Sequence, residues 1–196
     1  MGNKKLQVIE PSVSQQKFVA EIREFRQIER DWRKKGVLCL DTSFPFAEFL
    51  FTALNMKPNT ILFAVSIDFT NYDLQPPSIV FIDPFTGHPV LFNEMQVKFF
   101  QVNAVPVAEA APGMIIQTTP QLILMMGTDR APFLCIPGVR EYHEHPAHSN
   151  DPWLRHRGKG EGKLCFLLDQ LYNHSVPYVT GLNLNLNISV NGIKQF

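Results

Sequence analysis

The hydrophobic period of this sequence changes abruptly at Gly36, and the change limits the architectures open to the chain. From Pro11 to Lys35, apolar residues recur at a spacing of three or four positions, which predicts one amphipathic helix that ends at Gly36. After Gly36 the sequence consists of short apolar runs separated by brief connections, as is typical of strands in an antiparallel meander. The helix would cover one face of that sheet. The predicted strands are Val37–Thr42, Pro45–Leu54, Ile61–Phe69 and Ser78–Ile82.

The sequence pattern of the second half predicts fewer regular elements than that of the first half. Leu164–Asn173 has leucines at helical spacing and is expected to be a helix. Gly181–Val190 alternates apolar residues with Asn or Ser, which predicts a strand with one buried face. The interpretation is a single α+β domain over residues 1–196, with residues 1–10 flexible or extended. The segments between these elements are Phe92–Val102 (strand or short helix), Val105–Gly113 (loop), and Met114–Gln117 and Leu122–Met126 (candidate strands).

Charge and composition exclude several classes of protein. Lys plus Arg and Asp plus Glu both number 18, so the formal net charge is zero, and general neutralisation of nucleic-acid phosphates is not expected. No apolar run approaches the roughly 20 residues that span a bilayer, and the N-terminus lacks the pattern of a signal peptide. Three cysteines, an odd number, do not indicate a disulfide framework. We therefore expect a soluble cytoplasmic protein with reduced thiols and no membrane partner.

Cys135 is the candidate nucleophile. It stands between an apolar run and a Pro137-Gly138 turn that would keep its sulfur near the surface, and a histidine-rich segment follows. A thiolate is a strong nucleophile, and its acyl thioester is a good acyl donor. The alternative is a buried structural cysteine, since its neighbours are apolar. Cys39, in the first strand, and Cys165, in the leucine-rich helix, are expected to belong to the core.

One segment, Phe69–Phe81 (FTNYDLQPPSIVF), resembles the Tyr-Pro-x-x-Pro-Pro-x-Val-x-Phe segment of ubiquitin-conjugating (E2) proteins. The order of the remaining features is also similar to that family: an N-terminal helix, a four-strand meander, His88-Pro89, a cysteine, Trp153 and a leucine-rich helix. The chain most resembles divergent bacterial E2-like proteins that are encoded with E1-like, ubiquitin-like and JAB-type peptidase proteins. The resemblance implies an E2 (UBC)-like fold with an irregular active-site region, and residues 174–196 would be an extension that diverges from the family.

The resemblance also implies a function. Cys135 would accept the C-terminus of a ubiquitin-like protein from an E1-like enzyme as a thioester, and would pass it to an amine on a target protein. The setting would be a bacterial conjugation pathway, with antiviral defence as one context. The E2-like protein itself would need no cofactor, because the E1-like partner uses the ATP. Val90 stands where the family has an Asn that helps to hold the oxyanion. Asn150 is a candidate substitute, and Asp151 could orient or desolvate the attacking lysine.

The histidine-rich segment, His143-Glu-His-Pro-Ala-His148, leaves several functions open. His143 or His145 could position or deprotonate the incoming nucleophile. Alternatively, His143, His145 and His148 could bind Zn²⁺, which would make the chain a metal-binding protein or a metal-dependent hydrolase. In a strand, His143 and His145 would share a face. The segment could also be only an exposed polar loop, and the whole chain a catalytically inert E2-like or RWD-like interaction module.

Overall fold

The computed structural model of the chain describes residues 8–95, 122–124 and 131–179. In these residues the fold is α+β, as predicted, with an N-terminal helix, a four-stranded antiparallel sheet and a two-stranded ribbon. The helices are α1 (Pro11–Lys35), α2 (Arg140–Glu144) and α3 (Leu164–Asn173). The strands are β1 (Val37–Asp41), β2 (Phe46–Ala53), β3 (Thr60–Asp68), β4 (Ser78–Ile82), β5 (Ile123–Leu124) and β6 (Phe133–Leu134). Single 3₁₀ turns occur at Phe92–Glu94, Pro146–His148, Trp153–Arg155 and Val176–Tyr178.

Helix α1 has the predicted bounds, and the chemistry of both ends explains them. Pro11 occupies the first turn, where its missing N–H costs no hydrogen bond. Gly36 ends the helix in the left-handed conformation, with φ of 87°, and its N–H donates to the Arg33 carbonyl. A Cβ on Gly36 would lie 2.5 Å from the Thr52 carbonyl oxygen, so no larger residue fits between the helix and β2.

The meander prediction is confirmed: the sheet has the order β1-β2-β3-β4, and all its pairs are antiparallel. All four predicted meander strands are present, and their ends lie within one residue of the predicted ones. Phenylalanines fill the space between α1 and the sheet. Phe25 of the helix meets Phe49 of β2 edge to face at 5.1 Å, and Phe18 meets Phe69 at 5.4 Å. Burial of these rings holds the helix on one face of the sheet.

Helix α3 also has the predicted bounds and packs on the same core through its leucines. Its N-terminus is capped from another element, since the carboxylate of Glu21 in α1 accepts the N–H of Leu164 at 2.9 Å. The same carboxylate accepts the hydroxyl of Tyr72 at 3.0 Å. Burial raises the pKa of Glu21 in spite of these hydrogen bonds. One buried carboxylate therefore ties together α1, α3 and the loop that precedes β4.

Part of the predicted second half can be compared with the structure. Within Leu122–Met126 a short strand forms at Ile123–Leu124, and within Phe92–Val102 the first residues form a 3₁₀ turn. The predictions for Val105–Gly113, Met114–Gln117 and Gly181–Val190 lie outside the described residues, as do the first seven residues. Across the described ranges, no helix combines the length and apolarity required to span a bilayer.

Candidate functional site

Cys135 directly follows β6 and is partly exposed. Its backbone N–H donates to the Leu122 carbonyl at 2.7 Å, which extends the β5–β6 pairing by one hydrogen bond and fixes the backbone under the thiol. The chain then turns at Gly138, whose φ is 90°. A Cβ on Gly138 would lie 2.4 Å from the Gly162 nitrogen, so this turn is pressed against the glycine-rich loop before α3.

A histidine contacts the thiol: Sγ of Cys135 lies 3.0 Å from Nε2 of His148. Burial raises the pKa of Cys135, so desolvation alone would keep the thiol protonated. An imidazole at this distance can accept the thiol proton and stabilise the resulting thiolate. Cys39 and Cys165 are also partly exposed, and burial raises their pKa values as well, yet within the described residues neither has a hydrogen bond to an imidazole. Both pack against the main core, as expected.

The backbone of the histidine-rich segment is helical, which corrects the expectation that His143 and His145 share a face of a strand. Residues Arg140–Glu144 form α2, and His145 leaves the helix in an extended conformation because Pro146 disfavours helical geometry in the residue before it. The 3₁₀ turn Pro146–His148 then folds back, so that the imidazole of His148 meets Cys135.

Helix α2 is anchored by Arg140, whose side chain is fully buried at 1 % exposure. Its guanidinium donates to the carbonyls of Thr70 at 2.7 Å and Pro76 at 3.1 Å, and its Nη1 lies 3.4 Å from the Asp68 carboxylate. Two of these partners, Thr70 and Pro76, lie in the segment between β3 and β4. The buried fork of the guanidinium therefore fixes the histidine-bearing helix to that segment.

Tyr142 of α2 lies flat against His148, with ring centroids 3.9 Å apart and an angle of 21° between the planes. Its hydroxyl donates to Oδ2 of Asp151 at 2.9 Å, and His156 approaches the other oxygen at 2.8 Å. Hydrogen bonds from His156 and Tyr142 hold the pKa of Asp151 below its ordinary value. Burial and the bond to Asp151 raise the pKa of Tyr142 to about 12. The phenol therefore stays a donor at neutral pH.

His143 is fully engaged by the backbone. Its Nε2 accepts the Gly138 N–H at 3.3 Å, which places the ring proton on Nδ1, and Nδ1 lies 2.8 Å from the Asp151 carbonyl oxygen. Burial lowers the pKa of His143. With both nitrogens occupied, the ring fixes the turn after Cys135 and has no lone pair directed at a substrate.

The other predicted site residues are placed as follows. The imidazole of His145 accepts the Ala147 N–H at 3.3 Å, and its ring centroid lies 5.7 Å from that of Phe133. Asn150 is exposed, and its carbonyl accepts a hydrogen bond from Arg155 at 2.8 Å. Among the residues that the structure describes, no group of three or more His, Cys, Asp or Glu side chains is arranged to hold a metal ion, the predicted histidine trio included.

Trp153 packs beside the site, with its ring centroid 5.6 Å from that of His143. It is buried, and its indole N–H donates to the Asp73 carbonyl at 2.9 Å. The Asp73 carboxylate pairs with Lys17 and, at 3.1 Å, with Arg157. Burial acts to raise the pKa of Asp73, but the hydrogen bonds from Lys17 and Arg157 outweigh it and leave the pKa lowered. These contacts tie the loop after Trp153 to the N-terminal helix.

Sequence reasoning missed three roles that the structure brings out. It placed His148 only among metal ligands, whereas His148 is the partner of the thiol. It singled out neither Tyr142 nor Arg140. An arginine is ordinarily expected at the surface, and no local spacing rule links a cysteine to a histidine 13 positions later across two turns. The sequence does place Tyr142 near several histidines, but this proximity does not specify that its ring stacks on His148.

Two comparisons with known proteins complete the description of the chain. The sequence model of the Y4jH-like family, described as "Y4jH family", matches residues 9–179. A Sinorhizobium fredii (strain NBRC 101917 / NGR234) protein named "Uncharacterized protein y4jH" is 40 % identical over 193 residues, which cover 96 % of this chain and 94 % of that protein. The family match includes Cys135, His148 and all three helices described above.

Proposed function

The chain belongs to the Y4jH-like family, and we propose that it is an E2-like acyl-transfer enzyme in which Cys135 carries a ubiquitin-like protein as a thioester. The observation that carries the proposal is the 3.0 Å contact between Sγ of Cys135 and Nε2 of His148, at a partly exposed position. A second support is the docking of the site, through Arg140, on the segment that resembles the E2 family.

The contact between Cys135 and His148 supports the following loading step. Nε2 of His148 takes the proton of Cys135, and the thiolate attacks the carbonyl carbon of the thioester on an E1-like enzyme. The new C–S bond to Cys135 forms as the C–S bond to the donor cysteine breaks. The departing thiolate then receives the proton from the imidazolium of His148. Because burial raises the pKa of Cys135, removal of its proton by His148 assists the attack.

The transfer step uses the same pair. An amine of the target attacks the Cys135 thioester, and negative charge develops on the carbonyl oxygen of the tetrahedral intermediate. Collapse of the intermediate forms the amide and releases the thiolate of Cys135. The neutral imidazole of His148 accepts the proton that the attacking nitrogen loses, so the imidazolium and the thiolate are left paired.

Thioester capture tests this proposal. The full chain is mixed with ATP and with an E1-like enzyme and a ubiquitin-like protein from its genome neighbourhood, and the products are resolved with and without reducing thiol. We expect a thiol-sensitive adduct in the wild type and in Cys39→Ser and Cys165→Ser. Cys135→Ala should form none. An adduct that persists in Cys135→Ala, or the absence of any adduct beside an active E1-like enzyme, contradicts the proposal.

The contact between Cys135 and His148 also favours a second candidate, a thiol-dependent hydrolase, because the same imidazole could activate water against an acyl-enzyme. The two functions differ in the fate of the loaded form. For a carrier, the adduct should persist in buffer and decay when an amine is added. For a hydrolase, it should decay at the same rate with and without the amine.

A further inference from the structure

Cysteine–histidine pairs generally need a third group that orients the imidazole. Within the described residues, His148 donates its backbone N–H to the His145 carbonyl, and its ring lies against Tyr142. Tyr142 thus supports the imidazole on its face, whereas a hydrogen-bonding side chain would hold the ring at its edge. A stack at 3.9 Å fixes the tilt of the imidazole while leaving its edge free to meet the thiol.

We propose that Tyr142 is the positioning residue of this site: it holds the His148 imidazole on Cys135 by stacking, and the hydrogen bond from its hydroxyl to Asp151 orients the stacked ring. The catalytic purpose of this arrangement rests on the proposed acyl-transfer function. The positioning role can be tested without that function, through the reactivity of the Cys135 thiol. Asp151 acts through Tyr142, since its Oδ2 accepts the phenol proton at 2.9 Å.

Asp151 links the two stacked residues, because it is hydrogen-bonded to both His148 and Tyr142. The backbone N–H of Asp151 donates to the His148 carbonyl at 2.9 Å, while the Asp151 side chain accepts the phenol of Tyr142. Arg140, two residues before the tyrosine, fixes α2 to the loop before β4. The titratable groups around the thiol–imidazole pair are His143, His145, Tyr142, Asp151 and His156.

The test is the rate at which iodoacetamide alkylates Cys135 in the full-length protein, followed by peptide mass spectrometry so that Cys39 and Cys165 are counted separately. Rates are compared at about pH 7 and about pH 10, because at the higher pH hydroxide removes the thiol proton more readily and the imidazole contributes less. For Tyr142→Leu we expect a loss of roughly tenfold at the lower pH and a smaller loss at the higher one, because the imidazole is no longer held on the thiol. Tyr142→Phe keeps the stack but loses the hydrogen bond to Asp151 that orients the ring, and it should lose roughly threefold at the lower pH.

Tyr178→Leu is the matched control, because Tyr178 is an exposed tyrosine of the last 3₁₀ turn and should leave both rates unchanged. An equal loss at the two pH values in Tyr142→Leu would make the tyrosine a purely structural residue and overturn the inference. Wild-type rates in Tyr142→Leu would overturn it as well. A different result would contradict only the acyl-transfer function: Cys135 of the wild type would be reactive toward iodoacetamide but would form no thioester in the presence of an active E1-like enzyme.

Discussion

The scaffold of α1 and the four-stranded sheet differs from the site segment of residues 131–157 in what holds it together. In the scaffold the contacts are between apolar rings, such as Phe25 on Phe49 at 5.1 Å. In the site segment, hydrogen bonds fix the geometry. Examples are the bonds from the buried guanidinium of Arg140 to backbone carbonyls and the bonds that the Asp151 carboxylate makes with Tyr142 and His156. Apolar burial does not depend on pH or on direction, whereas hydrogen bonds and charges depend on both. Substitutions in the scaffold should therefore lower stability at every pH, whereas substitutions in the site segment should change the reactivity of Cys135 or the pH dependence of stability.

The largest effect is expected in the scaffold. Phe25→Ala removes a ring with 0 % exposure and should lower the free energy of unfolding by about 3–5 kcal/mol. Denaturant titration at two pH values measures this loss, which should be the same at both. Val19→Ala, on the exposed face of the same helix, should change stability little. A comparable loss in both variants would mean that the ring is not packed as the structure has it.

A smaller loss, of a different kind, is expected at the junction of the two regions. Arg140→Met should cost about 3 kcal/mol, because it leaves the carbonyls of Thr70 and Pro76 and the Asp68 carboxylate without their buried partner. Arg140→Lys keeps the charge but not the fork, so it should restore only part of the stability.

Denaturant titration and Cys135 alkylation should be measured together in the Arg140 variants. Alkylation should become independent of His148 when α2 is released from its anchor. Arg23→Met, at an exposed position of α1, is the control for removal of an arginine as such. Full stability in Arg140→Met would contradict an anchoring role.

Within the site segment, the change that most affects chemistry should leave stability nearly intact. His148→Ala should slow the alkylation of Cys135 at about pH 7 by about 100-fold, equivalent to ~2.7 kcal/mol. His145→Ala removes a neighbouring imidazole that meets Phe133 and Ala147, and it should leave the rate unchanged. If Cys135 reacts no faster than Cys39 in the wild type, the proposed function is contradicted. That result would favour a catalytically inert interaction module instead.

The smallest effect is the dependence of stability on pH. The folded pKa of His143 is lowered from its ordinary value of 6.5, first by burial, so its contribution to stability is complete above that value and is lost as the pH falls toward the folded pKa. The lowered pKa of Asp151 adds a loss in the same direction at lower pH. These two groups should therefore lower the melting temperature between about pH 7.5 and about pH 5, while Glu21, whose pKa is raised by burial, acts in the opposite direction.

The variant His143→Gln should reduce the part of that fall near pH 6.5, because it removes the group that resists protonation in the folded state. His88→Gln, at an exposed position, is the matched control and should leave the profile as it is. A melting profile that His143→Gln leaves unaltered would show that His143 does not couple folding to protonation.

The regular elements could be predicted because their signals are local. The spacing of Phe18, Phe25 and Trp32 defines a buried stripe along α1, and a glycine in the left-handed conformation ends the helix where the period changes. The leucines of α3 give the same signal, and its predicted bounds agree with the structure. The ends of three meander strands differ from the prediction by one residue, because pairing with the neighbouring strand, which local sequence does not encode, decides where a strand stops.

The sequence by itself determined the α+β layout, the helix bounds and the choice of Cys135 as the cysteine beside a turn. Only the tertiary structure decided that His148, rather than His143 or His145, meets the thiol. That choice depends on where α2 ends, how Pro146 turns the chain and how Arg140 fixes the helix to a distant loop. Periodicity records which face of an element is buried, but the meeting of two side chains is set by long-range contacts that fix the directions of the connecting turns.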